Sequence, residues 1–287
     1  MDPRIETLDR LQRVVAFALD LDGTTYLGEH LLPGAREFKS HCDARGLPVV
    51  FVTNNSSRSH DEYVTRLNRL GLPVRSSEVL TSAEATIAFL RSERPDARVF
   101  LLGTPAVQHE FQAGGVELVA DPDCADTVVL AYDTTLTYEK VRILCDLVRR
   151  GCFFVATHPD VNCPMPGGQR SSSPRTQDFW PDVGSFLALV QASTGRLPDE
   201  VIGKPSRRMV EAIARRLHAA PEQIAFVGDR LYTDVAMARE SGMVAVLVLS
   251  GETRAQDLAD SRHQPDLVVR DLKELAEMVG REQRRPG

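Results

Sequence analysis

The sequence contains no long apolar run and no secretion signal. A transmembrane helix needs about 18 consecutive, mostly apolar residues, and no run in this chain approaches that length. The N-terminal segment MDPRIETLDRLQR also lacks the apolar core of a signal peptide. We therefore expect a cytoplasmic protein with no membrane partner.

The sequence also lacks a cysteine pattern. Its five cysteines form no CxxC pair, and no histidine lies at the spacing of a zinc site. Such an odd, unpatterned set is more typical of a reduced cytoplasmic protein than of a disulfide framework. The cysteines are Cys42, Cys124, Cys145, Cys152 and Cys163.

Concentrated positive charge is missing as well, and the formal net charge is −6. A short C-terminal cluster, REQRRPG, is interpreted as a solvated tail. We expect no nucleic-acid partner, because such proteins carry a basic patch or stripe. With 287 residues, of which 43% are hydrophobic, the chain can form a core of ordinary size and is long for one simple domain.

What the sequence does contain is a series of short apolar runs that alternate with helical segments. The runs are rich in Val, Ile, Leu and Phe, which is typical of parallel strands buried on both faces. Helical segments follow Pro33, Ser59 and Pro205. The pattern predicts an α/β fold with a doubly wound, mostly parallel sheet. The runs are VVAFALD, LPVVFVTNN, ARVFLLG, DTVVLAYD, CFFVATH, QIAFVGD and MVAVLVLSG.

Apolar runs that end in polar residues fall into two groups, one near the start of the chain and one late. The segment between them has its own alternation of strands and helices. We predict a discontinuous core, residues 1–82 and 201–287, interrupted by a smaller inserted α/β domain at 83–200. Within the insert, Pro159–Asp182 is rich in Pro, Ser and Gly, which predicts a long loop of the kind that is usually functional or mobile.

Asp20 and Asp22 follow the first apolar run, and Gly23 comes next. In an extended chain, side chains two residues apart point to the same side. Neighbouring carboxylates repel unless a cation lies beside them, and oxygen ligands suit Mg²⁺. The alternative is an Asx turn that closes the strand.

Two other strand ends carry groups suited to an anion, and ligands bind at the carboxyl ends of parallel strands. Thr53 and Asn54 offer a hydroxyl and backbone N–H groups. The alternative is that Ser and Asn residues of this segment, FVTNNSS, cap the following helix. Lys204 lies at a strand-to-helix junction, with Pro205 in the first turn of the helix. Its charge can neutralise a phosphoryl oxygen or a carboxylate; alternatively, it is a solvated surface lysine.

The fourth polar strand end is Asp229, directly after the run IAFVG. Asp234 would open the next helix, where it could be an acid favoured by the helix dipole or could support an active site. Each of the four strand ends has an ordinary structural explanation. Their occurrence together, all at strand ends, favours a common function.

Together these residues resemble the haloacid dehalogenase (HAD) superfamily of phosphohydrolases. DLDGTTY is similar to its first motif, VTNN to its second, GKP to its third and GDRLYTD to its fourth. The large insert between the second and third motifs resembles the branch that carries an α/β cap domain there. LLPGA, TNNSS, ATHPDVNCP and GRLPDEVIGKP resemble the NagD-like, para-nitrophenyl-phosphatase branch in particular.

The resemblance implies a Mg²⁺-dependent phosphatase that hydrolyses small phosphate monoesters through an aspartyl-phosphate intermediate. Asp20 would be the nucleophile, and Asp22 would be the general acid and then the general base. The metal would be held by Asp20, by the backbone carbonyl of Asp22 and by Asp229.

The resemblance also implies how the phosphoryl group would be bound. Thr53 and the Asn54 amide would hold phosphoryl oxygens. Lys204 would stabilise the phosphoryl charge and the Asp20 carboxylate. Asp234 would orient Lys204 or a metal-bound water.

The substrate does not follow from the resemblance, since members of the branch act on different small phosphate esters. Candidates are sugar phosphates, glycerol phosphate, phosphoglycolate, nucleoside monophosphates and pyridoxal phosphate. Likeness to capped relatives makes a homodimer an expectation. Thr25 departs from the apolar residue that many members have after the first motif, and GQRSSSPRTQDF looks like an extension of the cap loop.

We also predict that the loop Pro159–Asp182 selects the substrate. An aromatic side chain there could pack on the leaving group, and an arginine could pair with a second acidic group. The alternative is a mobile surface loop with solvated arginines. The candidate selecting residues are His158, Asp160, Arg170, Arg175 and Trp180.

Three other functions share part of this pattern. A phospho-accepting signalling receiver shares aspartyl phosphorylation and Mg²⁺ but needs no insert of this size. A non-catalytic phosphate-binding protein on the same fold would leave the intact set of acidic residues and Lys204 unexplained. Hydrolysis of a carbon–halogen bond needs no Mg²⁺ and leaves Asp229 without a role.

Overall fold

The computed structural model describes residues 10–11, 13–165 and 178–281. Predicted features that fall on residues 166–177, including Arg170 and Arg175, lie outside the described residues.

The described residues form two compact units, and the chain passes between them more than once. The first unit comprises the described residues up to Val52, the segment Val64–Leu80 and the described residues from Val210 onward. The second unit comprises Thr53–Tyr63 and the described residues of Thr81–Met209. The predicted boundaries of a core and a cap, at 82/83 and 200/201, stay a prediction.

The strands alternate with helices along the described chain. In order, the strands are β1 (Ala16–Asp20), β2 (Tyr26–Leu27), β3 (His30–Leu31), β4 (Val49–Thr53), β5 (Val79–Thr81), β6 (Arg98–Leu102), β7 (Glu117–Leu118), β8 (Thr127–Leu130), β9 (Phe153–Ala156), β10 (Asn162–Met165), β11 (Asp178–Pro181), β12 (Glu200–Val201), β13 (Ile224–Gly228), β14 (Val244–Val248) and β15 (Leu267–Val269).

The α-helices of the described chain fill the intervals between these strands. They are α1 (Ala35–Ala44), α2 (His60–Arg69), α3 (Ser82–Glu93), α4 (Pro105–Ala113), α5 (Tyr138–Arg149), α6 (Val183–Thr194), α7 (Arg207–Leu217), α8 (Ala236–Ser241) and α9 (Leu272–Arg281).

The first unit carries a six-stranded sheet in the order β15-β14-β13-β1-β4-β5. The pairs β1–β13, β1–β4, β13–β14 and β14–β15 are parallel. Every residue of β1, β4, β13 and β14 is buried. Apart from the polar residues that end β1 and β4, these strands are apolar runs, as is typical of parallel strands buried on both faces. The predicted α/β class with a mostly parallel sheet is confirmed.

The second unit carries its own five-stranded sheet in the order β12-β9-β8-β6-β7, and its pairs are parallel throughout. Helices α5 and α6 pack on it through an apolar cluster that includes Leu144, Val148, Phe154 and Val190. Threonine side chains cap three helices of this unit: Thr81 caps α3, Thr104 caps α4 and Thr137 caps α5. Such hydroxyls satisfy backbone N–H groups that have no partner within the helix.

Part of the segment predicted as a long loop, Pro159–Asp182, is a β-hairpin. Strands β10 and β11 pair antiparallel, with Cys163 opposite Trp180. The interpretation of these parts as loop was wrong, since prolines and polar residues on both arms hid the strand pattern. Prolines are tolerated in a two-stranded ribbon because each strand has a free edge.

Two helix starts also differ from the sequence prediction. Helix α7 begins at Arg207, so Pro205 precedes the helix and follows Lys204 through a cis peptide bond. Asp234 lies inside a π-helical turn, Leu231–Val235, and α8 begins only at Ala236. None of the helices in the described part of the chain is both long and apolar enough to cross a membrane.

Candidate active site

In the first unit, three buried carboxylates meet at the carboxyl ends of β1 and β13. Asp20 is the last residue of β1, Asp229 follows β13, and Asp234 lies in the π-helical turn that comes next. One oxygen from each carboxylate lies within 4.8 Å of those of the other two. Their exposed fractions are 7%, 1% and 1%. We call Asp20, Asp229 and Asp234 the acidic cluster.

Asp229 is held by backbone and hydroxyl donors. The backbone N–H of Glu252 donates to its Oδ2 at 2.6 Å, and the Thr24 hydroxyl lies 3.4 Å from its Oδ1. Burial and the nearby charge of Asp234 raise the pKa of Asp229 to about 7. A carboxylate so placed favours a cation beside it.

Asp234 is fixed by its own turn. The backbone N–H of Arg230 donates to Asp234 Oδ2 at 3.1 Å, and the Asp234 N–H donates back to the Arg230 carbonyl at 3.1 Å. A Cβ at Gly228 would lie 2.4 Å from the Asp234 side chain. Glycine at the end of β13 therefore lets this carboxylate approach the strand.

Asp22 lies outside the acidic cluster. Its Oδ2 accepts a hydrogen bond from the Tyr26 hydroxyl at 3.0 Å. Gly23 turns the chain with φ of +92°, where glycine is favoured, and its N–H donates to the Tyr26 carbonyl at 2.8 Å. The Asp22 side chain is thus held by the Tyr26 hydroxyl directly before a turn of the chain.

The departure from the family motif at Thr25 has a local explanation. Thr25 is fully buried, and its hydroxyl donates to the backbone carbonyl of Asp20 at 2.7 Å. A buried hydroxyl needs such a partner, and here the partner belongs to the residue that carries the first carboxylate of the acidic cluster.

The acidic cluster fits a hard divalent cation. All its ligand atoms are carboxylate oxygens, which is the donor set that Mg²⁺ prefers. Three buried carboxylates at this spacing repel one another unless positive charge offsets them. The residues that could hold the ion are Asp20 and Asp229, with Asp234 beside them.

In the second unit, Asn54 joins two other predicted site residues. Its Nδ2 donates to Asp160 Oδ1 at 3.0 Å and to the Lys204 carbonyl at 2.9 Å, while its Oδ1 accepts from the Lys204 N–H at 2.7 Å. All three residues are buried. We call this arrangement the Asn54 clamp. Thr53, also buried, accepts from the Asn55 N–H through its hydroxyl at 3.1 Å.

His158, predicted to line the substrate loop, is part of a buried hydrogen-bond chain. Its Nε2 lies 2.9 Å from Asp182 Oδ1, and its Nδ1 lies 3.0 Å from the Thr157 hydroxyl. The Thr157 hydroxyl in turn lies 2.8 Å from that of Ser56. Trp180, on β11, is half exposed.

Sequence reasoning missed several residues that support these groups. The Asp182 carboxylate carries no motif that points to it. Glu252 lies in SGETR, which resembles the NagD-like branch of the family, but the segment does not by itself indicate a backbone donor. Gly251 follows the end of β14 in the segment LSGET, so the rule that ligands lie at strand ends could have found it. The side-chain contacts of Asn54 had no sequence signal, since Asp160 is 106 residues away and Lys204 is 150.

Two family models match the chain. Residues 17–117 match a model described as haloacid dehalogenase-like hydrolase, and residues 201–275 match one described as HAD-hydrolase-like. These matches cover the four motifs quoted above.

Individual relatives are similar over most of their lengths. An acid sugar phosphatase of Staphylococcus haemolyticus is 31% identical over 256 residues, which is 89% of this chain and 93% of the relative. The crystal structure of a Thermotoga maritima 4-nitrophenylphosphatase is 42% identical with a TM-score of 0.85, covering 93% of this chain and 98% of the other. The crystal structure of a Mycobacterium tuberculosis glycerol phosphate phosphatase in complex with magnesium is 30% identical, with a TM-score of 0.81. The match covers 93% of this chain and 78% of the other.

Proposed function

Because this chain belongs to the haloacid dehalogenase-like hydrolase family and is a phosphatase within it, we propose that it hydrolyses small phosphate monoesters through an aspartyl-phosphate intermediate with Mg²⁺. The observation that carries the proposal is the acidic cluster. Buried carboxylates at the ends of two adjacent parallel strands would provide both a nucleophile and oxygen ligands for a cation.

Asp20 is the proposed nucleophile. Its carboxylate oxygen attacks phosphorus, a phosphorus–oxygen bond forms, and the bond to the leaving alcohol breaks. Water then hydrolyses the aspartyl-phosphate and releases phosphate. The bond from Thr25 to the Asp20 carbonyl supports this role because it fixes the backbone that carries the carboxylate.

Asp22 is the proposed general acid and base. It gives a proton to the departing alkoxide oxygen and then takes one from the attacking water. Two observations support the assignment of this role to Asp22, whose carboxyl group lies outside the acidic cluster. Its side chain is oriented by the Tyr26 hydroxyl, and Gly23 turns the chain immediately after it.

Mg²⁺, when bound by Asp20, Asp229 and the Asp22 carbonyl, would offset the repulsion between the nucleophile and the phosphate dianion. A structural relative in complex with magnesium supports the choice of the ion. Asp234 would support the set by orienting one of its members or a water.

The proposed phosphoryl-binding residues are Thr53, Asn54 and Lys204. The Thr53 hydroxyl and the Asn54 backbone N–H would donate to phosphoryl oxygens, and the Lys204 ammonium would stabilise their charge. The side-chain amide of Asn54 is engaged with Lys204 and Asp160, so the backbone is the part of Asn54 assigned to phosphate.

The proposed substrates are small esters such as sugar phosphates, glycerol phosphate, phosphoglycolate or nucleotides. Similarity to an acid sugar phosphatase and to a glycerol phosphate phosphatase supports this class. Substrate selection by His158, Asp160 and Trp180 stays a prediction, and Arg170 and Arg175 lie outside the described residues. A homodimer likewise stays a prediction.

A screen of purified protein against phosphorylated metabolites tests the proposal. Sugar phosphates, glycerol 3-phosphate, phosphoglycolate, nucleoside monophosphates, pyridoxal phosphate and para-nitrophenyl phosphate would be compared with Mg²⁺ present. We expect phosphate release from several of them. The absence of release from every ester, by protein that is folded and supplied with Mg²⁺, would contradict the proposed function.

A further inference from the structure

The Asn54 clamp uses one side chain to hold both backbone polar groups of Lys204. The Lys204 N–H donates to Asn54 Oδ1 at 2.7 Å, and Asn54 Nδ2 donates to the Lys204 carbonyl at 2.9 Å. Because the Lys204 Cα lies between these two backbone groups, the two bonds together fix the direction in which the lysine side chain leaves the backbone.

Asp160 fixes the amide in one orientation. The second hydrogen on Asn54 Nδ2 points to Asp160 Oδ1 at 3.0 Å. With the amide flipped, Asn54 Oδ1 would face this carboxylate and the Lys204 carbonyl, so acceptors would oppose acceptors. A bond to a charged acceptor is stronger than one between neutral groups. Asp160 therefore holds Asn54 in the orientation that matches Lys204.

Gly203 leaves the space in which the amide sits. A Cβ at this position would lie 2.6 Å from Asn54 Oδ1, 2.7 Å from the His158 Cβ and 2.7 Å from the Thr157 carbonyl. The Gly203 N–H donates to that same carbonyl at 2.8 Å. The clamp thus requires glycine directly before the lysine.

The buried hydrogen bonds around His158 lie next to Asp160 and help to hold it in place. The Asp160 carbonyl accepts from the Gly184 N–H at 2.7 Å, and the His158 ring bonds to Asp182 on the same short segment. The His158 ring and the Asp160 carbonyl are buried groups that both have partners, as buried polar groups require. Asp160 is therefore anchored through its backbone as well as its side chain.

We propose that the Asn54 side chain is a positioning residue for Lys204, with Asp160 as its orienting partner. This inference rests on the proposed role of Lys204 in stabilising phosphoryl charge. Asn54 would then contribute to catalysis in two separate ways, since its backbone is assigned to phosphate and its side chain to the lysine. Asp160, which the sequence predicts to select substrates, would also help to position Lys204 by orienting the Asn54 amide.

A double-mutant cycle between Asn54 and Lys204 tests the proposal. We expect Asn54→Ala to lower kcat by about 10- to 100-fold with a smaller change in KM, because the lost positioning acts on transition-state charge. If Asn54 acts through Lys204, the kcat of the double variant should be within about threefold of that of Lys204→Ala alone, because the effects of substitutions at coupled residues do not add.

A rescue experiment tests the amide orientation. Asn54→Asp keeps the shape of the side chain but removes both of its donors, so its carboxylate faces Asp160 and the Lys204 carbonyl. In the double variant Asn54→Asp/Asp160→Asn, the new amide can donate to the new carboxylate. We expect it to be about fivefold or more faster than Asn54→Asp, as one of the two lost bonds returns with reversed polarity.

Asn68 offers a matched control. Its Nδ2 donates to the Val64 and Val74 carbonyls at 2.8 and 3.0 Å, and its Oδ1 accepts from the Val74 N–H at 3.3 Å. It therefore holds both backbone polar groups of Val74 as Asn54 holds those of Lys204, but its third bond goes to a backbone carbonyl and not to a carboxylate. Asn68 is in the first unit, away from Lys204 in sequence. Asn68→Ala should lower the melting temperature without changing kcat.

The outcomes separate the inference from the proposed function. If folded Asn54→Ala has the kcat of the wild type, or if the losses in the cycle are additive, the inference is overturned. Hydrolysis by the wild-type protein would still uphold the proposed function. If Lys204→Ala keeps full activity, the proposed role of the lysine is refuted, and the inference is refuted with it. If Asn54→Ala does not fold, as judged by circular dichroism, the rescue experiment decides. If Asn54→Asp/Asp160→Asn is no faster than Asn54→Asp, the inference is contradicted.

Discussion

The backbone N–H of Glu252 donates to Oδ2 of Asp229 at 2.6 Å, which ties the loop after β14 to the acidic cluster. Gly251, the preceding residue, brings this loop close: a Cβ there would lie 1.9 Å from Asp229 Oδ2. The carboxylate therefore occupies the space that any side chain at position 251 would need.

Gly251→Ala should weaken the proposed Mg²⁺ site. The methyl group must displace the Asp229 carboxylate, since the atoms would otherwise overlap. We expect the Mg²⁺ concentration for half-maximal activity to rise about tenfold or more, which corresponds to about 1.4 kcal/mol of lost metal binding. The measurement is ester hydrolysis as a function of Mg²⁺ concentration.

Gly103→Ala is the control for that substitution. A Cβ at Gly103 would meet its nearest atom, Leu101 Cγ, at 3.5 Å, which is ordinary van der Waals contact. Its Mg²⁺ dependence should match that of the wild type. An unchanged Mg²⁺ requirement in folded Gly251→Ala would show that Asp229 does not depend on the approach of this loop.

Asp20→Asn should abolish turnover and leave the fold intact. The amide keeps the size of the side chain but cannot form the aspartyl-phosphate. Hydrolysis of para-nitrophenyl phosphate measures the loss, and circular dichroism checks the fold. Retention of more than a few per cent of the wild-type rate would refute Asp20 as the nucleophile.

Removal of Mg²⁺ should remove activity. EDTA followed by dialysis should give inactive protein, and Mg²⁺ should restore it while Ca²⁺ should not. Ca²⁺ takes more ligands at longer distances, which would disturb the alignment of Asp20 with the phosphate. Restored Mg²⁺ should also raise the melting temperature, because a ligand of the folded state stabilises it. Full activity in the dialysed, EDTA-treated protein would refute the metal requirement.

Features of the fold that depend on local pattern could be predicted from the sequence. Asp20 and Asp229 were placed at strand ends because the apolar runs before them are continuous, and a buried parallel strand needs such a run. The hairpin β10–β11 could not be predicted in this way. Its arms contain Pro164 and Pro181, and proline in a short polar segment favours a loop interpretation.

Features of the site that depend on distant contacts could not be predicted. The motifs indicated that Asn54 and Lys204 belong together, but nothing local showed that the Asn54 side chain binds the lysine backbone. Asp234 was expected to open a helix, whereas a π-helical turn places its carboxylate with Asp20 and Asp229. Wider turns of this kind depend on tertiary packing and often occur at functional sites.

Glu110, at some distance in sequence from every motif, should make stability depend on pH. It lies in α4, where its Oε2 accepts from the His60 N–H at 3.2 Å. Burial raises the pKa of its carboxyl group to about 7, with the charges of Glu84 and Asp61 acting in the same direction and His60 opposing them. The folded protein therefore binds this proton more tightly than the unfolded chain does.

The sign of the effect follows from that difference in pKa. The stabilisation is fully present below about pH 4.5, the ordinary pKa of a glutamate, and is lost as the pH rises through about 7. Glu110→Gln removes the titration and keeps an oxygen that can accept from His60. At pH 8 we expect Glu110→Gln to be more stable than the wild type by on the order of 1–2 kcal/mol, and near pH 4.5 the difference should vanish.

Urea unfolding of both proteins between pH 4.5 and 8 measures this difference, and titrating groups that do not interact with Glu110 cancel in the comparison. Glu117→Gln is the control, since Glu117 is an exposed glutamate in the same unit. Its stability curve should run parallel to that of the wild type. If the Glu110→Gln curve also ran parallel, the pKa of Glu110 would be the same in the folded and the unfolded protein, and the expected effect of its burial would be refuted.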